Sequence, residues 1–233
     1  MAVSISNLTA SYSTGTISSA VTASISPSSN ALILLSVMSR RGDSTEPSVP
    51  TVTGNGLTWV NVTSIYYDTA SASRKKLSLF RAMGSSPTSG AVTIDFSGEN
   101  QTDIFWAIDE AVGVDISGTN GSGAIAQSAS VKDEGGAVNP LVVTLGTFSS
   151  TNNATYGTFT NDEGTGVAST PGSGFTQLSE QHPLLQGMLT EWKAGNDTSV
   201  DANMDVATLP NQGGIAVEIV ALSNVAPVAW LTA

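Results

Sequence analysis

The chain contains no cysteine, so disulfides, thiolate metal sites and thiol nucleophiles are all excluded. It has one histidine, His182, and charged residues make up only 12% of its 233 positions, against roughly 25% in an ordinary globular domain. No apolar run approaches the ~20 residues that span a bilayer as a helix, which predicts no membrane partner. The N-terminal stretch MAVSISNLTASYSTG lacks the basic and apolar regions of a secretory signal, so the expectation is synthesis in the cytoplasm without a signal peptide. Helical periodicity is missing as well, since no stretch keeps a 3.6-residue apolar repeat over three turns.

Ser and Thr stand where charge is missing, sixty residues by count, together with 23 Gly. Thr suits pleated strands because its β-branch restricts χ1, and Gly and Ser supply turns. Apolar residues, at 40%, suffice for a sizeable core. Disorder, which needs low hydrophobicity with high net charge, is therefore not expected. No Pro-rich linker or charge run divides the chain, and all-β folds of about 200–250 residues commonly form one unit. The expectation is one domain over 1–233, with an N-terminal arm (about 1–13) and an apolar C-terminal tail (about 224–233). The five Asn-x-Thr sequences are what so Thr-rich a chain produces by chance.

The net charge of −11 argues against nucleic acid as a partner, because affinity for it comes from neutralising phosphates. The charge is unevenly spread. Residues 1–81 carry six cations and three anions, a net of +3, and residues 82–233 carry two cations and sixteen anions, a net of −14. Such a basic cluster on an acidic body favours oriented docking or self-association.

Period-2 apolar alternation recurs along the whole chain in about thirteen short runs, separated by turn signals such as Pro27–Asn30, Gly54-Asn-Gly56, Gly118–Gly121 and Gly213-Gly214. This is the pattern of an all-β antiparallel sandwich, jelly-roll-like. Ala31–Met38, Ile104–Val112 and Ile215–Leu222 are apolar on both faces and read as interior strands covered twice, whereas Thr16–Ser26 alternates apolar with Ser and Thr and reads as half-solvated.

The catalytic inventory is thin. His182 precedes a proline and has no Gly-x-Ser-x-Gly elbow to serve, so a loop histidine without a special role is the simpler account. A glycosidase needs two carboxyls about 5–10 Å apart across a cleft, and the candidates are Glu191, Glu218, Asp109 and Glu110. Asp197, Asp201 and Asp205, or Asn161–Gly166, offer oxygen ligands for a structural calcium, although neither matches an EF-hand loop. No other cofactor is implied. Arg41-Gly42-Asp43 matches the integrin-binding tripeptide, but also the ordinary composition of a strand end meeting its loop. Trp59, Tyr66, Tyr67 and Phe80 could stack on a sugar, yet alternation puts Tyr66 and Tyr67 on opposite faces, and core filling accounts for most of the set.

Read together, Ser29–Asp43 (SNALILLSVMSRRGD), Pro50–Val60 (PTVTGNGLTWV) and Leu79–Phe96 (LFRAMGSSPTSGAVTIDF) resemble a group of virion proteins of tailed bacteriophages. The likeness runs from about Ser29 to Gly123 and rests on strand-and-turn signatures. It implies a fold and a virion setting and brings no functional residues with it. The function expected is a capsid decoration (cement) protein on the virion surface. It would bind the major capsid protein and further copies of itself through many modest contacts repeated by symmetry. The expected docking surface is Arg40, Arg41, Arg74, Lys75 and Lys76 or the N-terminal arm, with Trp230 and Leu231 as a docking tail. A receptor- or carbohydrate-binding head on a tail or fibre is the alternative, and a hydrolase the third.

Overall fold

The computed structural model describes residues 2–135, 138–162, 168–183, 186–204 and 211–223. They form sixteen antiparallel strands in four sheets, and no helix is present among them. The first half contributes β1 (Ser4–Ile17), β2 (Ser19–Val21), β3 (Leu32–Arg40), β4 (Thr51–Gly54), β5 (Val60–Tyr67), β6 (Lys75–Ala82), β7 (Val92–Asp95) and β8 (Gln101–Val112). The second contributes β9 (Ile125–Asp133), β10 (Leu141–Thr144), β11 (Ala154–Asp162), β12 (Ser169–Pro171), β13 (Thr176–Gln181), β14 (Gln186–Lys193), β15 (Ser199–Met204) and β16 (Gln212–Ile219).

The sheet orders are β1-β8-β3-β6-β5 with β2-β7-β4, and β9-β16-β11-β14-β13 with β10-β15-β12. Adding eight to each strand number of the first pair gives the second pair. The chain is thus two copies of one eight-stranded jelly-roll-like sandwich, each a five-stranded sheet covered by a three-stranded one. Local details repeat with the topology. β5 and β13 each carry a bulge opposite the same point of the neighbouring strand, at Val62 and Leu178, and both side chains pack on the same core. Gly54-Asn-Gly-Leu-Thr58 and Gly172-Ser-Gly-Phe-Thr176 close the same turn, with Leu57 N donating to Gly54 O (3.1 Å) and Phe175 N to Gly172 O (3.0 Å). At each first glycine a Cβ would lie 2.6 or 2.5 Å from a backbone oxygen, of Ala91 and Asp201 respectively, so no other residue fits.

Three apolar cores separate the four layers. Ile33, Leu35, Phe80, Ile94 and Trp106 fill the first sandwich, and Val143, Phe159, Phe175, Leu189 and Val200 fill the second. The third core, with Leu34, Met38, Leu77, Phe105, Tyr156, Ile215 and Val217, lies between the two five-stranded sheets and joins the halves. These sheets are therefore buried on both faces, which accounts for β3 and β16 lacking alternation. β1 stacks on β13 and β5 on β9, while β6 meets β16 and β8 meets β14. These four contacts form two pairs that interchange when the halves are exchanged. The arrangement is that of an isologous two-fold dimer made within one chain.

The sequence expectations fare unevenly in detail. The all-β sandwich is correct, but one sandwich becomes two placed back to back, and sixteen strands replace about thirteen. The expected N-terminal arm is strand β1, paired with β8 from Ser4↔Val112 to Ile17↔Gln101. Its bulge between Asn7 and Thr9 breaks the alternation by which a strand is recognised. Gly213-Gly214, expected as a turn, lies inside β16. A Cβ there would meet the Tyr67 ring at 2.9 Å from one side and the Phe159 ring at 2.8 Å from the other, so the glycines let an aromatic lie flat on each face. Gly213→Ala is expected to cost about 1–3 kcal/mol through overpacking, read as a lower urea midpoint with an unchanged m-value.

Candidate functional site

Of the basic cluster expected as a docking surface, Lys75 and Lys76 are buried, whereas Arg40, Arg41 and Arg74 are partly exposed and paired within the chain. Lys75 shares a strand face with Leu77 and Leu79, so alternation sends it into the central core, where it is fully buried. Its Nζ pairs with Asp68, with Asp162 at 2.8 Å and with the Ser73 carbonyl at 2.9 Å. Asn211 Nδ2 donates to Asp68 (2.6 Å) and Gln186 Nε2 to Asp162 (2.9 Å), so this node fastens the β5–β6 loop of the first half to three elements of the second. The placement of Lys75 on the docking surface is corrected accordingly. Arg40 pairs with buried Asp103, and Lys76, mostly buried, pairs with Glu46 at 2.7 Å. Arg41 holds Asp43 (2.7 Å) and Glu99 (2.9 Å), so the Arg-Gly-Asp tripeptide is closed on itself, and the Arg41 bond holds the Asp43 carboxyl down at about 2. Arg74 Nη1 donates to Tyr66 OH at 2.5 Å. Trp230 and Leu231 lie outside the described residues.

The carboxylates put forward for hydrolysis are dispersed through the layers. Asp109 faces the central core, where it accepts from Asn7 Nδ2 and Tyr156 OH, each at 2.8 Å, and Tyr156 OH also lies 3.0 Å from Ser36 Oγ. Burial pushes this carboxyl up to about 6, the two hydrogen bonds opposing the shift. Glu191 points the other way, into the second sandwich. It accepts from Gly172 N at 2.9 Å, and burial pushes it up to about 8, with nearby Asp201 adding to the effect. Glu110 and Glu218 occupy equivalent positions of the two halves and do equivalent work. Glu110 accepts from Ser28 N (2.5 Å) and Ser28 Oγ (3.1 Å), and Glu218 accepts from Ser149 N (3.4 Å) and Asn153 Nδ2 (2.6 Å), each tying down the loop before the third strand. No two of these four share a partner among the hydrogen bonds of the described residues.

The calcium candidates are also committed elsewhere. Asp197 pairs with Lys193 at 2.6 Å and accepts from Ser199 N, while Asn161 donates to Ser169 Oγ at 3.0 Å. Asp205 and residues 163–166 lie outside the described residues. Among the described residues, no three His, Asp or Glu side chains are grouped to hold a metal ion. Of the aromatics expected as a platform, Tyr67 and Phe80 are core residues and Trp59 donates to Gly54 O at 3.3 Å.

Two concavities open on the surface of the described residues. One, of about 770 Å³, lies beside Val3, the Ser149–Asn153 loop and Val220–Ser223, and the described residues lining it include no ionisable side chain. The other is a groove of about 350 Å³ between β1 and the end of β13, lined by Ala10, Ser11, Tyr12, Glu180, Gln181, His182 and Pro183. Tyr12 is 41% exposed, and its ring is held by stacking on Phe105, centroids 5.4 Å apart and 24° between planes. His182 Nδ1 lies 2.5 and 2.7 Å from the two Glu180 oxygens. Gln181 Nε2 donates to Trp106 O at 3.0 Å, and its Oε1 has no hydrogen-bond partner among the described residues. Sequence reasoning reached His182 alone in this group. Tyr12 fell within the segment expected as an arm.

No family model matches the chain, and comparisons with curated proteins and with solved structures gave no match.

Proposed function

We propose that this protein is a structural docking module, a capsid decoration (cement) protein that binds the outside of a phage head and bridges subunits of the major capsid protein. The observation that carries this reading is the use made of its ionisable groups. Lys75, Arg40, Asp109, Glu110 and Glu218 all serve as ties between strands, sheets and loops. That use of charge suits a rigid body that offers Ser- and Thr-rich strands to neighbours. The resemblance of Ser29–Gly123 to tailed-phage virion proteins supports the setting. With Lys75 buried and the arginines paired within the chain, the β1/β13 edge, which includes the N-terminal strand, is the docking surface we favour. Mixed with undecorated phage heads, the purified protein should co-sediment saturably, in a fixed ratio to capsid subunits. Absence of binding at micromolar concentration would remove the head assignment.

A second reading, a receptor- or carbohydrate-binding head of a tail or fibre, is favoured by one feature, the exposed Tyr12 ring in the β1/β13 groove. A glycan screen separates it from the first.

A further inference from the structure

The internal two-fold gives each sheet edge a twin, and the twin of the β1/β13 groove is already filled. Leu32 pairs with Ala111 and Ala154 with Ile219, so Ala111 and Ile219 are equivalent. Six residues earlier, Phe105 faces Tyr12 and Gly213 faces Lys132, which makes Tyr12 and Lys132 equivalent. Along β6 and β14, Ile65 is likewise equivalent to Gln181, and hence Tyr66 to His182. At the β5/β9 edge, the Tyr66 ring has the Arg74 guanidinium at 5.8 Å and the Lys132 ammonium at 6.0 Å from its centroid. Glu134 pairs with Lys132 there, at 3.1 Å. An aromatic ring, a carboxylate and cationic side chains thus satisfy one another within the chain.

The β1/β13 edge holds the ring and the carboxylate in the opposite order. Tyr12 stands on the first strand of its half, Glu180 and His182 stand on or just after the fifth strand of the other half, and no Lys or Arg lines the groove. We propose that this groove is a socket for a lysine or arginine side chain of a partner protein, received on the face of Tyr12 with Glu180, which also holds His182 and accepts from Ser169 N, as counter-charge. The fixed ring presents its π-face without a rotamer to freeze. The net charge of −11 draws a basic partner towards it. The socket deepens the docking reading by giving the partner's chemistry, and it rests on that reading only for the partner's identity.

The test uses the full chain with ¹³C-labelled tyrosine and histidine rings, titrated at low salt with acetyl-Gly-Arg-Gly-amide and acetyl-Gly-Lys-Gly-amide. Acetyl-Gly-Gln-Gly-amide and methyl β-galactopyranoside are the comparisons. Saturable shifts at Tyr12 and His182, absent at Tyr66, are expected with the cationic peptides alone. Tyr12→Ala and Glu180→Gln should each weaken binding about two- to five-fold, the strength of an exposed cation–π contact, while Tyr12→Phe retains it. Equal shifts with the glutamine peptide would overturn the socket, as would non-saturating shifts spread over many rings. Shifts with the galactoside alone would also overturn it, in favour of a glycan site. Failure of the head assignment reads differently, because the peptides would still titrate Tyr12 while heads fail to co-sediment.

Discussion

Replacing Lys75 by methionine is expected to destabilise the protein by about 3–5 kcal/mol, the cost of removing one partner from a buried ion pair. The side chain is fully buried, and its ammonium is the only cation that the structure places against Asp68 and Asp162 among the described residues. Methionine fills the volume but leaves Asp68, 3% exposed, with Asn211 as its remaining side-chain partner among the described residues. For a chain of this size such a loss lowers the melting temperature by about 10 °C. Lys76→Met is the control. Its partner Glu46 is half exposed, and pairs of that kind contribute about 1 kcal/mol or less. Adding Asp68→Asn and Asp162→Asn to the Lys75→Met chain should recover part of the loss, because the stranded charges go with them. Equal melting curves for the Lys75 and Lys76 variants would show that the node between the halves bears no weight.

The second large effect is a loss of stability as the solution becomes alkaline. Glu191 titrates near 4.5 when unfolded and at about 8 in the fold, raised by burial. Between these values the folded chain holds a proton that the unfolded chain has released. Its contribution is therefore fully present below 4.5, falls by up to ~1.4 kcal/mol per pH unit, and is exhausted above 8. Asp109 adds a fall of the same sign between 3.8 and about 6. Glu191→Gln keeps an oxygen for Gly172 N and carries no proton to lose. It should match the parent chain at pH 4 and exceed it at pH 8 by on the order of 4 kcal/mol. Urea unfolding at the two pH values measures this directly. A constant difference between parent and variant across the range would mean that Glu191 titrates in the fold as it does in the unfolded chain.

These effects bear on where function can reside. The two carboxyls that burial pushes up to about 6 and about 8, Asp109 and Glu191, are enclosed between sheets and bonded to the protein itself, so their shifts report the cost of burial. The β1/β13 groove is the reverse case. Tyr12 and His182 reach solvent there, and the twin at the β5/β9 edge places cations on the corresponding ring.

Composition and alternation were enough to establish the class of fold. Few charges, many Thr and Ser and regularly spaced turns admit little besides antiparallel sheets, and runs apolar on both faces, as in β3, β8 and β16, required central strands. The duplication was written in the sequence only faintly, as Gly54-x-Gly-Leu-Thr58 and Gly172-x-Gly-Phe-Thr176, because a turn needing two glycines constrains residue type far more than a strand face does. The rest was decided by tertiary structure. Whether a lysine at a strand start points outward depends on what covers that face, and the second half covers Lys75. Whether Gly213-Gly214 turns the chain or receives two aromatic rings depends on Tyr67 and Phe159, residues far away in sequence. The β1/β13 groove unites positions 12 and 182, which become neighbours only because the two halves pack face to face about a two-fold axis. Local sequence states the period of a strand, but which surfaces meet is fixed by burying the largest apolar area of both halves at once.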